Sequence, residues 1–108
     1  MTPAAFRKLA LSMPDAHEAP HFERASFRAG KKIFATMTAD GAEVMVRVQP
    51  VDKCLALLQS DPKVFIDYGG WTRRNGSLGM RLKLADRKLV ALLVREAWAG
   101  VAPKRLLK

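Results

Sequence analysis

Hydrophobic residues recur every three or four positions in three segments of the chain, which is the spacing of one face of an α-helix. The first segment follows Thr2-Pro3, a capping residue and a proline suited to the first helical position, and it ends at Pro14-Asp15. The second follows Pro50 and ends at Asp61-Pro62, and the third follows the capping residue Asp86. We therefore predict three helices, whose apolar faces carry Phe6, Leu9, Ala10 and Met13; Val51, Cys54, Leu55 and Leu58; and Leu89, Val90, Leu93, Val94, Ala97 and Trp98.

Between these helices, apolar and polar residues alternate over short segments, which is typical of strands with one buried face. The clearest alternation covers 43–48, where three valines alternate with Glu43, Met45 and Arg47 after a turn at Asp40-Gly41. Two strands are predicted before it, at 25–29 and 32–38, joined by a tight turn at Gly30. Two more are predicted after the second helix, at 64–66 and 78–84, separated by the loop 68–77.

The order of the elements is helix, meander, helix, hairpin and helix. This order predicts an α+β fold with one antiparallel sheet of about five strands and helices packed on one face. The 108 residues contain no internal repeat and no linker rich in Gly, Ser or Pro, so we expect one domain over 1–108. A hydrophobic content of 49% with 27% charged residues is that of an ordinary folded domain.

The charge balance is skewed, since 19 Lys and Arg face 10 Asp and Glu, for a net charge of +9. Such a field attracts nucleic acid, anionic membrane or acidic protein without specifying one of them. The single cysteine, Cys54, cannot form an intramolecular disulfide, and no apolar run approaches the length of a membrane span. We expect a cytoplasmic monomer that needs no cofactor and no membrane.

The segment from His17 to His21 matches the letters H-E-x-x-H, the zinc motif of metalloproteases. That chemistry needs both histidines one helical turn apart, with the glutamate as general base. Pro20 directly precedes the second histidine and opposes a continuous helix, and the chain has no third histidine. We interpret Glu18 and His21 as residues that hold the link to the first strand by local hydrogen bonds, with Phe22 packed inward, and we predict no metal site.

Other catalytic patterns are equally weak. The glycines at Gly69-Gly70, Gly76 and Gly79 lack the spacing and the strand-to-helix context of a phosphate-binding loop. A nucleophile among the serines or Cys54 has no favoured spacing to the two histidines. We therefore predict no catalytic residues and no enzymatic activity.

The chain resembles the MmcQ/YjbR family in register through almost its whole length. The residues that carry the resemblance are the stretch from Phe6 to Pro14, Glu18, His21-Phe22, Ser26-Phe27-Arg28, the stretch from Gly30 to Thr36, Ala97-Trp98 and the stretch from Val101 to Arg105. One departure is Ser77, because the family often has a tryptophan at the start of the last strand.

The resemblance implies a double-wing fold related to that of frataxin and CyaY, and it implies DNA binding as the function generally given to the family. Iron binding in frataxins depends on an acidic ridge. Arg7 and Lys8 stand in the first helix where such a ridge would need carboxylates, which argues against metal delivery.

If the hairpins act as wings, their cations are positioned to contact phosphates. The predicted nucleic-acid-binding residues are Arg28, Lys31, Lys32, Arg73, Arg74, Arg81, Lys83, Lys104 and Arg105. In the segment 81–84 the two cations alternate with two leucines, which predicts one basic and one buried face. The favoured function is non-enzymatic binding of nucleic acid, duplex DNA first. The alternatives are a module that recognises an acidic protein partner and a small-ligand site in a groove between His21 and Trp71.

Overall fold

A six-stranded antiparallel sheet forms the centre of the fold. The computed structural model describes residues 1–106 of the chain. The strands are β1 (Ala16–His21), β2 (Arg24–Ala29), β3 (Lys32–Met37), β4 (Glu43–Arg47), β5 (Phe65–Ile66) and β6 (Ser77–Arg81). Their order in the sheet is β1-β2-β3-β4-β6-β5, so the first four strands form a meander and β6 lies between β4 and β5. The α+β class and the single antiparallel sheet are confirmed.

Four α-helices accompany the sheet: α1 (Pro3–Leu11), α2 (Val51–Ser60), α3 (Gly70–Arg74) and α4 (Arg87–Val101). The capping residues act as the sequence indicates. The hydroxyl of Thr2 accepts a hydrogen bond from the backbone N–H of Ala5 at 3.1 Å, and the Asp86 carboxylate accepts one from Leu89 at 3.0 Å. Each cap satisfies a backbone donor that has no partner inside its helix.

The hydrophobic core lies between one face of the sheet and the helices α1, α2 and α4. Directly opposed residues of antiparallel strands share a face, so the pairs Val44–Met80 and Val46–Leu78 point the same way, and all four side chains are buried. The ring of Phe27 in β2 packs edge to face against Phe6 of α1, with centroids 5.8 Å apart. The apolar residues of β4 therefore determine which face of the sheet the helices cover.

Two elements of the structure were not predicted from the sequence. The first is β1, which was expected to be a polar link and instead pairs with β2 over six residues, from Ala16–Ala29 to His21–Arg24. It contains no β-branched residue and no Phe, Tyr or Trp, and its Pro20 suits an edge strand, where one side of the backbone needs no ladder partner. The second is α3, a short helix inside the predicted loop 68–77.

The last strand is shorter than predicted. Residues 78–84 were expected to alternate throughout, but β6 ends at Arg81 and the chain then turns. Leu82 is buried, whereas Leu84 is 55% exposed. The predicted basic and buried faces of 81–84 therefore hold for Arg81, Leu82 and Lys83 and are wrong at Leu84, because the chain turns after Arg81.

Candidate nucleic-acid interface

The second face of the sheet, which we call the open face, is not covered by α1, α2 or α4. It carries the residues that alternate with the core positions, and Ser26, Thr36, Met45 and Gly79 stand side by side on it across four strands. The segment 67–76, which joins β5 to β6 and includes α3, folds back over part of this face. The result is a groove between this segment and the β1–β2 hairpin.

Tyr68 rests on the open face because Gly79 has no side chain. A Cβ at Gly79 would lie 2.5 Å from Cε2 of Tyr68 and 2.8 Å from the carbonyl oxygen of Ile66. No larger residue fits beneath the ring without displacing it. A glycine in the interior of a strand thus marks a close approach of the covering segment.

A polar network fixes the outer edge of the Tyr68 ring. The phenol donates a 2.6 Å hydrogen bond to Oε1 of Glu43, and the guanidinium of Arg24 lies 5.9 Å from the ring centroid. Burial and the hydrogen bond to the Glu43 carboxylate raise the pKa of Tyr68 to about 12. Arg24 also donates through Nε to the hydroxyl of Thr36 at 3.2 Å, while its Nη2 is buried without a partner among the described residues.

Beside this network the open face contains a cavity of about 170 Å³, which we call the open-face cavity. Its wall is largely apolar, and Trp71 and His21 lie on it from opposite sides of the groove. The other side chains that matter for its chemistry are Thr36, Met45, Arg47, Asn75 and Ser77. The two residues predicted to bound a groove, His21 and Trp71, therefore line the same cavity.

Aromatic side chains are exposed on both sides of the groove. Trp71 in α3 is 68% exposed, and Phe22 at the tip of the β1–β2 hairpin is 95% exposed. Phe22 has a φ of 58°, a left-handed conformation that is uncommon for a bulky residue, and its ring contacts that of His21 with centroids 4.8 Å apart. The expectation that Phe22 packs inward is wrong, because the two-residue turn directs it to solvent.

Most of the predicted phosphate-binding cations gather at one end of the sheet, which we call the basic end. At this end β2 stops, β3 starts, β4 stops and α4 finishes. Lys31 of the β2–β3 turn and Lys32 at the start of β3 share a surface depression with Lys104, which follows α4. Arg73 and Arg74 end α3 directly before β6. The members of the basic end are Arg28, Lys31, Lys32, Arg47, Arg73, Arg74, Lys104 and Arg105.

Two of the predicted cations lie elsewhere. Arg81 stands at the other end of β6 and donates through Nη1 to the backbone carbonyl of Lys63 at 3.1 Å. Lys83 follows β6 and lines a depression with Met1 and Arg87, near the start of α1. Five residues of strand separate them from the basic end, so the nine predicted cations do not form one surface.

Arg47 and Arg24 also lie beside the open-face cavity or its polar network, although neither is predicted from the sequence. Arg47 lines the open-face cavity and also a neighbouring depression that contains Lys32, so it connects the cavity with the basic end. The alternation of 43–48 put Arg47 on the solvated side, which was the available signal. No sequence pattern indicated Arg24, because its role depends on its contact with Tyr68, which lies 44 residues away in sequence.

The H-E-x-x-H letters fall on a strand. His17, Glu18 and His21 all belong to β1, where alternate side chains point to opposite faces and four residues span about 13 Å. Glu18 instead forms a 2.9 Å ion pair with Arg7 of α1. This geometry separates the two imidazoles and turns the carboxylate away from them, which is incompatible with the helical zinc motif. Over residues 1–106, no cluster of three or more His, Cys, Asp or Glu residues could hold a metal ion.

None of the helices described, which lie within residues 3–106, is long and apolar enough to cross a bilayer. In α4, which has 15 residues, the apolar face lies on the sheet while Arg95 and Glu96 are exposed.

Comparison with known proteins identifies the family. A comparison with curated protein sequences gave no match. Among solved structures, this chain is similar to Deinococcus radiodurans protein DR2400, whose crystal structure contains the domain DUF419. The TM-score is 0.77 and the sequence identity is 19%. The alignment covers 90% of this chain and 75% of that chain, and at this identity it shows a shared fold. The YjbR family model matches residues 11–99, so the chain belongs to the YjbR family.

Proposed function

We propose that the protein is a non-enzymatic nucleic-acid-binding domain that holds phosphates on its basic end. The observation that carries the proposal is the convergence of cations from separate parts of the chain. The β2–β3 turn, the end of β4, the end of α3 and the segment after α4 each contribute to this one end of the sheet. A partner with regularly spaced negative charges would meet these cations together.

The opposite end of the sheet has a different charge balance. Its cations, such as Arg81 and Lys83, are interspersed with carboxylates, which are Glu23, Asp40, Glu43, Asp61 and Asp86. The basic end holds eight cations and fewer carboxylates: Asp67 and Glu96 form ion pairs with Arg73 and Lys53, Asp15 precedes β1, and Asp52 lies in the first turn of α2. The net charge of +9 is therefore unevenly distributed, and the basic end is the side on which phosphates would release condensed counterions.

Duplex DNA is the first ligand to test. The molecule measures 35 × 28 × 28 Å, and a 28 Å side corresponds to about eight base pairs at 3.4 Å each. The proposed contacts are side chains on turns and helix ends directed at phosphates, which fix position without reading sequence. We therefore expect weak sequence selectivity and strong dependence on salt.

The experiment is a titration of labelled duplex DNA at low and at physiological salt with two double variants. Lys31→Ala/Lys32→Ala removes two cations from the basic end, and we expect it to lower the slope of log K against log salt by about 2. Arg87→Ala/Lys88→Ala removes the same charge from the far end of α4 and is the matched control. Equal losses in both variants would contradict the proposal, since net charge alone would then explain binding.

The alternative function is recognition of an acidic protein partner. The observation that favours it is Phe22, which is 95% exposed at a hairpin tip, because exposed aromatic and arginine side chains are typical of protein interfaces. Phe22→Ala separates the two functions. A loss of binding to an acidic protein without a loss of DNA affinity would support the alternative.

A further inference from the structure

The open-face cavity adjoins the basic end, and this arrangement points to a more specific ligand. We propose that the cavity receives one unpaired DNA base while a phosphate of the same strand contacts Arg47. The inference rests on the proposed nucleic-acid function and adds to it a preference for DNA that contains an unpaired nucleotide over fully paired duplex.

The size and lining of the cavity fit one flat heterocycle. Its volume of about 170 Å³ is below the range of about 300 Å³ and more that drug-sized ligands occupy. The wall is mainly apolar, with a small number of polar side chains. This is the composition expected for a site that buries the faces of a ring and hydrogen-bonds its edge.

Trp71 provides the stacking surface. It lines the cavity and is nevertheless 68% exposed, so its indole is accessible to a base without any rearrangement of the core. The imidazole of His21 lies on the other side of the cavity and contacts the ring of Phe22 edge to face. Exposed aromatic rings beside cations are the typical platform for bases that are not paired.

Three polar side chains can recognise the edge of the base. Thr36 already accepts from Nε of Arg24, so its hydroxyl hydrogen remains available to donate into the cavity. Asn75 and Ser77 stand together at the start of β6, with Nδ2 and Oγ 3.5 Å apart, and both line the cavity. An amide and two hydroxyls offer both donors and acceptors, so they can bind the edge of a purine or of a pyrimidine and do not select one.

Arg47 makes the cavity continuous with the phosphate-binding surface. It lines the open-face cavity on one side and, with Lys32, the next depression on the other. A strand whose base occupies the cavity would therefore carry its phosphate towards Arg47 and its neighbouring phosphates towards the basic end. A small neutral heterocycle alone would not explain why an arginine lies between the two regions.

The test compares two duplexes of equal length and equal phosphate number, one fully paired and one with noncomplementary nucleotides at an end. We expect the splayed duplex to bind about tenfold more tightly, in proportion to the stacking of one base. Trp71→Ala should abolish this preference, and Trp71→Phe, which retains a ring, should restore part of it. Leu92→Ala, which removes an exposed apolar side chain from α4, is the control and should change nothing.

Tryptophan emission gives a second measurement. The chain has two tryptophans, and Trp98 is buried with its indole N–H bonded to Pro14. Stacking on Trp71 should quench emission when the splayed duplex binds and should quench it much less when the paired duplex binds. Trp71→Phe removes the quenching while Trp98 continues to report the folded state.

The outcomes separate this inference from the proposed function. If both duplexes bind equally and the Lys31→Ala/Lys32→Ala variant weakens both, the phosphate-binding function stands and the base site is wrong. If neither duplex binds the native protein, both proposals are wrong. A preference for the splayed duplex that survives Trp71→Ala would also overturn the base site.

Discussion

The phenol of Tyr68 donates a 2.6 Å hydrogen bond to the carboxylate of Glu43, and this bond connects the segment between β5 and β6 to the start of β4. The two residues are 25 positions apart in sequence. Through this bond the covering segment is held over the open face, and Trp71 is kept beside the cavity. The geometry of the candidate site therefore depends on one hydrogen bond of the Tyr68 phenol.

The ionisation of Tyr68 can be measured directly because it is the only tyrosine in the chain. Burial and the Glu43 carboxylate raise its pKa to about 12. We expect tyrosinate absorbance to appear near pH 12 in the folded protein and near the ordinary pKa of about 10 after unfolding in guanidinium. Glu43→Gln should lower the folded-state pKa; an unchanged value would contradict the role of the carboxylate.

The same shift predicts a dependence of stability on pH. Since the pKa of Tyr68 is higher in the folded state, the folded protein binds more protons than the unfolded chain between pH 10 and about 12. The stabilisation by the protonated phenol is therefore complete below pH 10 and is lost as the pH rises towards 12. Urea unfolding of the native protein and of Tyr68→Phe across this interval should converge, because the variant has no phenol to ionise.

Gly79→Ala should destabilise the fold. The added Cβ would meet the ring of Tyr68 and the carbonyl of Ile66, and overpacking of this kind costs about 1–3 kcal/mol. Gly100→Ala is the matched control, because nothing lies within 4 Å of its Cβ position and the residue belongs to α4. That substitution should stabilise the protein by about 0.5–1 kcal/mol. Thermal unfolding measures both, and shifts of the same sign would show that the Tyr68 ring does not restrict position 79.

Cys54 should be unreactive in the folded protein. Its side chain is fully buried, and burial together with the negative charge of Asp67 raises the pKa of the thiol. We expect a disulfide reagent at pH 8 to react on the order of 100-fold or more slowly with the native protein than with the unfolded chain. Comparable rates in the two states would mean that α2 opens readily.

Trp98→Phe tests the hydrogen bond between α4 and the segment that links α1 to β1. The indole N–H of Trp98 donates a 2.8 Å hydrogen bond to the carbonyl of Pro14, which connects α4 to the α1–β1 link. Loss of this bond and of the buried ring volume should lower the free energy of unfolding by about 1–2 kcal/mol. Trp71→Phe is the control and should change it by less than about 0.5 kcal/mol, since Trp71 is exposed. Urea titrations, analysed with one m value, measure the free energy of unfolding of both variants and of the native protein.

Local signals account for the parts of the fold that were predicted. The caps at Thr2 and Asp86 and the prolines that flank α2 act within a few residues of the helix ends that they define. The alternation of β4 likewise depends on which of its own side chains are apolar. β1 was missed because its residues have little preference for a strand, and pairing with β2 supplies the backbone hydrogen bonds that hold it extended.

Seven of the nine cations selected from the sequence lie at the basic end, and the two selected groove residues lie at one cavity. His21 and Trp71 were selected, and both line the open-face cavity. Arg24, Tyr68 and Arg47 were missed as a connected set. Arg81 and Lys83 were grouped with the basic hairpins, but β6 carries the chain across the sheet and places both residues at its opposite end.

The sequence by itself determined the fold class, the helix ends, the core positions of the central strands and the excess of positive charge. These properties depend on residue type and on spacing along the chain, which are local. Only the tertiary structure decided which cations share a surface, that Tyr68 lies on Gly79, and that a cavity opens between Trp71 and His21. Those relationships join segments that are distant in sequence, and sheet order, twist and side-chain packing bring them together.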